Sequence, residues 1–177
     1  MSRKKIWWSV GVVAVVALLV IVGLIFAPML RSRATLDDCS ALVPYDQLTA
    51  KGHLVVRGRI VDGGKNIRED GGAGDDWLYT EYTLQVTNTL RGKADEKVKV
   101  RIDGGYTFTH EYDCTGCPEI HKGDEVVAFL YRPEGQTGDY YRIQGGRYTG
   151  WYQADGDTLI GYGNTKRSYR SLIQDLK

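Results

Sequence analysis

Four side chains able to hold a metal fall in one short stretch: His110, Cys114, Cys117 and His121, spaced H-x3-C-x2-C-x3-H. Two imidazoles and two thiolates complete a tetrahedral zinc shell. The same cysteines support two other chemistries. One is a disulfide, either within the CxxC or from Cys39, with the two histidines incidental. The other is a redox-active dithiol. Pro118 stands where c-type haem attachment needs a histidine, and no βαβ pattern surrounds the CxxC, which argues against a thioredoxin-like centre. The chain has three cysteines, so one thiol is left over after any single intrachain bridge. Disulfide, zinc and redox readings all stay open, with the disulfide first.

A second candidate is Lys97, Lys99 and Arg101, which alternate with Val98, Val100 and Ile102. Joined by Arg91 and Lys93, they can form a basic stripe facing anionic headgroups, wall polymers or single strands. The plainer reading is a solvated strand face that also guards an edge. Glu69, Asp70, Asp75 and Asp76 supply oxygens for calcium but lack the ordered spacing of an EF-hand loop, so a mobile polar loop is expected. Tyr79, Tyr82, Tyr106, Tyr112, Tyr140, Tyr141, Tyr148, Trp151 and Tyr152 divide between core and an exposed recognition surface. No G-x-S-x-G, H-E-x-x-H, P-loop or dinucleotide fingerprint occurs, and the only histidines are His53, His110 and His121. No catalytic residue is assigned. A net charge of +1 gives no bulk field for nucleic acid, and none is expected as a partner.

The elements that hold these residues begin with residues 6–27, an apolar run without a charge. At 1.5 Å per residue it makes a helix of roughly 33 Å, enough for a bilayer core. Arg3, Lys4 and Lys5 precede it and Arg31 and Arg33 follow, a balance that keeps the N-terminus in the cytoplasm. Trp7 and Trp8 sit where indoles favour the interface. A cleaved signal peptide is the competing reading, but its apolar region is usually only about 7–15 residues. Pro28 also follows Ala27, a poor residue after a scissile bond. The chain is therefore divided into a cytoplasmic tail (1–5), a transmembrane signal anchor (6–27), a linker (28–38) and an extracytoplasmic β domain (39–177), placing it in the cell membrane as a single-pass protein.

Within that domain a short helix is expected around 44–50 and strands at 54–61, 77–90, 97–102, 125–131, 140–144, 148–153 and 158–162. Gly58 marks a bend or bulge in the first. EVVAFLY (125–131) is near-continuously apolar and belongs in the core. Residues 62–76 and 104–123 read as loops. Ser168 is the expected N-cap of a closing helix. The fold class is mainly β: a small five- to seven-stranded barrel with a C-terminal helix, preceded by one transmembrane helix.

HLVVRGRIV, then EYTLQVTNTLRG, then KGDEVVAFL resembles the netrin-like module over roughly 39–153. That family includes the N-terminal domain of tissue inhibitors of metalloproteinases, and similar domains occur in anchored bacterial proteins of unknown role. The resemblance implies an OB-type five-stranded barrel with flanking helices. It also implies a bridge from Cys39, before the first strand, to Cys114 or Cys117, after the third. In the inhibitors a free α-amino group on the N-terminal cysteine chelates the target's zinc. Here residues precede Cys39, so that mechanism is not carried over. The expected role is a non-enzymatic extracytoplasmic interaction module binding a protein or envelope component, without a cofactor. The alternative is a metal-binding or thiol-redox protein using His110, Cys114, Cys117 and His121, with zinc as its metal.

Overall fold

A computed structural model describes residues 3–26, 32–35, 43–49, 54–70, 76–107, 110–113, 117–134 and 138–177. The elements in chain order are α1 (Arg3–Phe26), β1 (Ser32–Thr35), α2 (Tyr45–Thr49), β2 (Leu54–Ile60), β3 (Lys65–Asp70) and β4 (Asp76–Arg91). Then come β5 (Lys97–Asp103), β6 (Gly105–Tyr106), β7 (His110–Asp113), β8 (Glu125–Tyr131) and β9 (Tyr141–Ile143). The last are α3 (Gly146–Thr149), β10 (Trp151–Asp155), β11 (Thr158–Ile160), β12 (Lys166–Ser168) and α4 (Tyr169–Asp175).

The chain forms two compact units, Met1–Ala34 with Tyr106–Glu111, and Thr35–Gly105 with Tyr112–Lys177. In the first, α1 runs 24 residues, about 36 Å at 1.5 Å each. Its described side chains, Val13 and those from Val15 to Phe26, are all exposed. Among the described residues no helix is long and apolar enough to cross a membrane, and in α1 these side chains cover mainly the second half. A small sheet runs in the order β1-β7-β6. β1 thus falls within the stretch read as a linker, and β6 and β7 within the stretch read as a loop.

The second unit is built on a closed barrel. Its strands run β8-β2-β4-β5-β9 and return to β8. Every pairing is antiparallel except the parallel β5–β9 contact. This closed, mixed five-strand barrel is consistent with the OB-like architecture read from the sequence. Alternation fills its interior. Val98, Val100 and Ile102 of β5 point in, as do Leu54, Val56 and Ile60 of β2 and Val126, Ala128 and Leu130 of β8. They meet Leu84, Tyr141, Ile143 and Trp151. β2 and β8 are buried on both faces, because Val55, Val127 and Phe129 enter a second core with Leu48, Tyr152, Leu159 and Leu172. That explains the uninterrupted apolar run of β8.

Gly58 behaves as expected: the β2–β4 register shifts between Arg57 and Gly58. A Cβ there would lie 2.6 Å from the Gln85 carbonyl oxygen and 2.9 Å from the Leu84 side chain, so only glycine allows the approach.

Barrel closure depends on an interrupted strand. β10 pairs with β8 at Val126–Ala128 and β9 pairs with it at Leu130 and Tyr131. Between them the Phe129 N–H donates to the Gly150 carbonyl (2.9 Å), and its carbonyl accepts from the Gln144 N–H (2.8 Å). The intervening residues loop out through Gly145 and Gly146, at φ 69° and 60°, into α3. The expected strand over 148–153 is therefore corrected: Tyr148 and Thr149 are helical, and the strand starts at Trp151. The detour releases β9 toward β5, closing the barrel, while β10 continues to β11 and β12.

The stretch read as an acidic loop is also corrected, since it contains β3. That strand pairs with the first part of β4, from Lys65↔Glu81 to Asp70↔Asp76. Its KNIRED sequence has no apolar alternation and becomes a strand because β4 offers a free edge. α4 starts where expected, with the Ser168 hydroxyl accepting from the Ser171 N–H at 3.4 Å.

Candidate functional site

The barrel interior is filled by side chains, so a partner has to meet the outside. On the outer face of β3, β4, β5 and β9, alternation presents the residues between the core positions. Register sets Tyr79 opposite Asp103, Glu81 opposite Arg101, and Arg101 beside Arg142. Arg101 lies 3.8 Å over the Tyr140 ring, and Arg142 lies 4.4 Å over the Tyr79 ring. A guanidinium stacked on an aromatic face gains about 0.5–2 kcal/mol, more as water is excluded. Tyr79 and Tyr140 are each 3 % exposed, whereas Trp77 near the free end of the β3–β4 arm is 57 % exposed.

Arg101 is held from three sides. Its Nε donates to Glu81 Oε2 at 2.8 Å, Nη1 pairs with Glu69, and the Tyr140 ring lies beneath. Lys99 Nζ is 3.7 Å from Glu81. Lys97, Lys99 and Arg101 do share one face, as alternation requires, but Glu69 and Glu81 offset the charge of the last two. Glu69 is thus an ion-pair partner on a strand. Asp75 and the Asp70 and Asp76 side chains lie outside the described set.

Arg142 is a functional candidate that sequence reasoning missed. Its Nε is buried with no hydrogen-bond partner among the described residues, and so is the Tyr140 hydroxyl. Burial pushes the Tyr79 hydroxyl above its usual range, and the Arg142 guanidinium offsets part of that rise. The signal that would have found Arg142 is its alternation with Tyr141 and Ile143. What that alternation faces depends on the parallel β5–β9 pairing, which no local pattern announces.

The cysteine loop lies elsewhere. Of the proposed zinc set, Cys117 and His121 have described side chains, whereas Cys114 and the His110 side chain lie outside them, as does the disulfide candidate Cys39. Among the described residues no disulfide is seen, and both candidate partners of Cys117 lie outside them. Among the described residues no group of three or more His, Cys, Asp or Glu is placed to hold a metal. His121 is 65 % exposed, 3.4 Å from Glu119 and 3.7 Å from Asp124.

The loop after Cys117 is fastened to the barrel. Arg147, buried on α3, donates to the Pro118 carbonyl. Gln153 Nε2 donates to the Glu119 carbonyl at 2.7 Å and to Asp124 Oδ2 at 3.2 Å. Ile120 packs on the barrel core. The remaining aromatics divide as follows. Tyr141, Trp151 and Tyr152 are buried, Tyr82 is partly buried against the barrel core, and Tyr106 is exposed. Tyr148 meets Tyr162 edge-on at 4.8 Å. No protein family, curated protein or solved structure matches the chain.

Proposed function

We propose that this chain is a membrane-tethered, non-enzymatic binding module whose contact surface is the outer face of β3, β4, β5 and β9. One observation carries the choice of face: Trp77, 57 % exposed, stands on the same side of β4 as Tyr79, whose ring carries Arg142, beside the Arg101–Tyr140 stack. Trp77 adds an exposed aromatic anchor nearby. The partner is a protein or envelope component.

The tether reading rests on the uncharged run over 6–27, the 24-residue α1 and the excess of basic residues before it. The finer netrin-like assignment draws on the OB-like strand order and carries with it a proposed bridge from Cys39 to Cys114 or Cys117.

The test is crosslinking of the full chain in its membrane. An adduct is expected that falls by roughly tenfold or more in a Trp77→Ala/Arg142→Gln variant of unchanged circular dichroism, the factor of about 1.4 kcal/mol. An adduct indifferent to that variant overturns the choice of face.

A further inference from the structure

α2 and α4 flank the barrel in sequence, one before it and one after, yet both cover the outer face of β2 and β8. Leu48 of α2 and Leu172 of α4 are each 1 % exposed, packed with Val55, Val127, Phe129 and Leu159. With five and seven residues, both helices are far below the roughly 12–15 residues an isolated helix needs. Each therefore exists only through its docking.

The two are also joined to each other. Arg91, the last residue of β4, donates from Nη1 to the Thr49 carbonyl at 2.6 Å and from Nη2 to the Leu176 carbonyl at 2.9 Å. One guanidinium thus satisfies carbonyls at the C-terminal ends of both helices, where partial negative charge collects. The Tyr45 hydroxyl donates to Asp175 Oδ2 at 2.8 Å, and Arg167 lies 3.7 Å over the Tyr45 ring. The approach to α4 is fixed as well: the Tyr169 N–H donates to the Asp157 carbonyl at 2.7 Å, and Arg57 lies 4.5 Å over the Tyr169 ring.

We infer that α2 and α4 open and close together as a clasp pinned by Arg91, so that α4 decides whether the segment ahead of the barrel is held on it. The clasp has its own core, separate from the barrel interior, so it can open while the barrel stays closed. Its consequence rests on the tether reading. Opening frees the chain from 43 to 49, which in extended form reaches roughly 3.3–3.6 Å per residue. The barrel's range from its anchor then depends on α4.

Hydrogen exchange on the full chain in detergent tests the clasp. Asp175→Ala lies in α4 and Tyr45→Phe in α2. Each is expected to raise exchange in both 45–49 and 169–176, by a common factor of roughly 5- to 30-fold. β4 and β5 keep their protection. Arg91→Met is expected to loosen both segments further. The inference is overturned if Asp175→Ala loosens only its own helix, if Arg91→Met leaves either segment unchanged, or if β4 and β5 open in step with them. Exchange reads the clasp without reference to the membrane, and external proteolysis reads the tether, so the two fail separately.

Discussion

Arg101 shows how one residue can carry two readings. Its place in an alternating basic stripe suggests an anion-binding cation, but at 17 % side-chain exposure it is enclosed by Glu81, Glu69 and Tyr140. Removing one carboxylate leaves a poorly hydrated charge short of partners. Glu81→Gln is expected to lower stability by about 1–3 kcal/mol in urea unfolding. A loss below a few tenths would mean Glu69 alone suffices. Glu125 gives a pH signature. Hydrogen bonds from Arg57, then Arg59, hold its carboxyl below the ordinary 4.5. The folded state therefore favours the carboxylate, and this stability is present above pH 4.5 and lost as pH falls through the depressed value. Glu125→Gln is expected to flatten the acid limb of a melting-temperature profile; a profile parallel to the parent would refute the assignment. At the basic end, burial raises the Tyr79 and Tyr152 hydroxyls above 10.0. The unfolded chain ionises first, so stability falls as pH rises beyond that point, and these two should ionise later in the folded protein than in the unfolded chain by tyrosinate absorbance.

Among the elements, β2 and β8 hold the two cores together. Phe129 is fully buried on the outer side of β8, against Tyr152 at 6.3 Å between ring centroids. Phe129→Ala is expected to cost about 3–5 kcal/mol. Gly58→Ala drives a Cβ into the β4 backbone and is expected to cost about 1–3 kcal/mol in chemical unfolding. A neutral Gly58→Ala would show that the bulge relaxes freely. The helix ending the chain was legible because an N-cap serine and spaced apolar residues are local signals. β3 was not, because its polar sequence is a strand only while β4 extends beyond β2 to receive it. Nor was the break at α3, where positive-φ glycines bend a segment whose flanks both read as strand.

For the whole molecule, the arrangement proposed is a basic N-terminal tail, an apolar helix and a barrel outside the cytoplasm. A protease added to the outer surface of intact cells is expected to degrade the barrel domain. A domain that survives outside, and is then cleaved once the cells are opened, would reverse the sidedness and with it the envelope partner. The proposed bridge among Cys39, Cys114 and Cys117 is expected to add two thiols in mass spectrometry after reduction, and no gain would remove it.

Local pattern is enough to read the apolar N-terminal run, the β-rich class, the bulge at Gly58, the apolar β8 and the Ser168 cap. Each follows from composition or from a spacing of a few residues, where side-chain periodicity is set by helix and strand geometry. Only the tertiary structure decided that β9 lies parallel to β5, that Arg142 stands beside Arg101 with its Nε unpaired, and that Arg91 joins two helices from opposite sides of the barrel in sequence. Those are contacts across long stretches of chain. Their energy comes from burial and pairing that exist only once the strands are closed, so no local pattern can carry them.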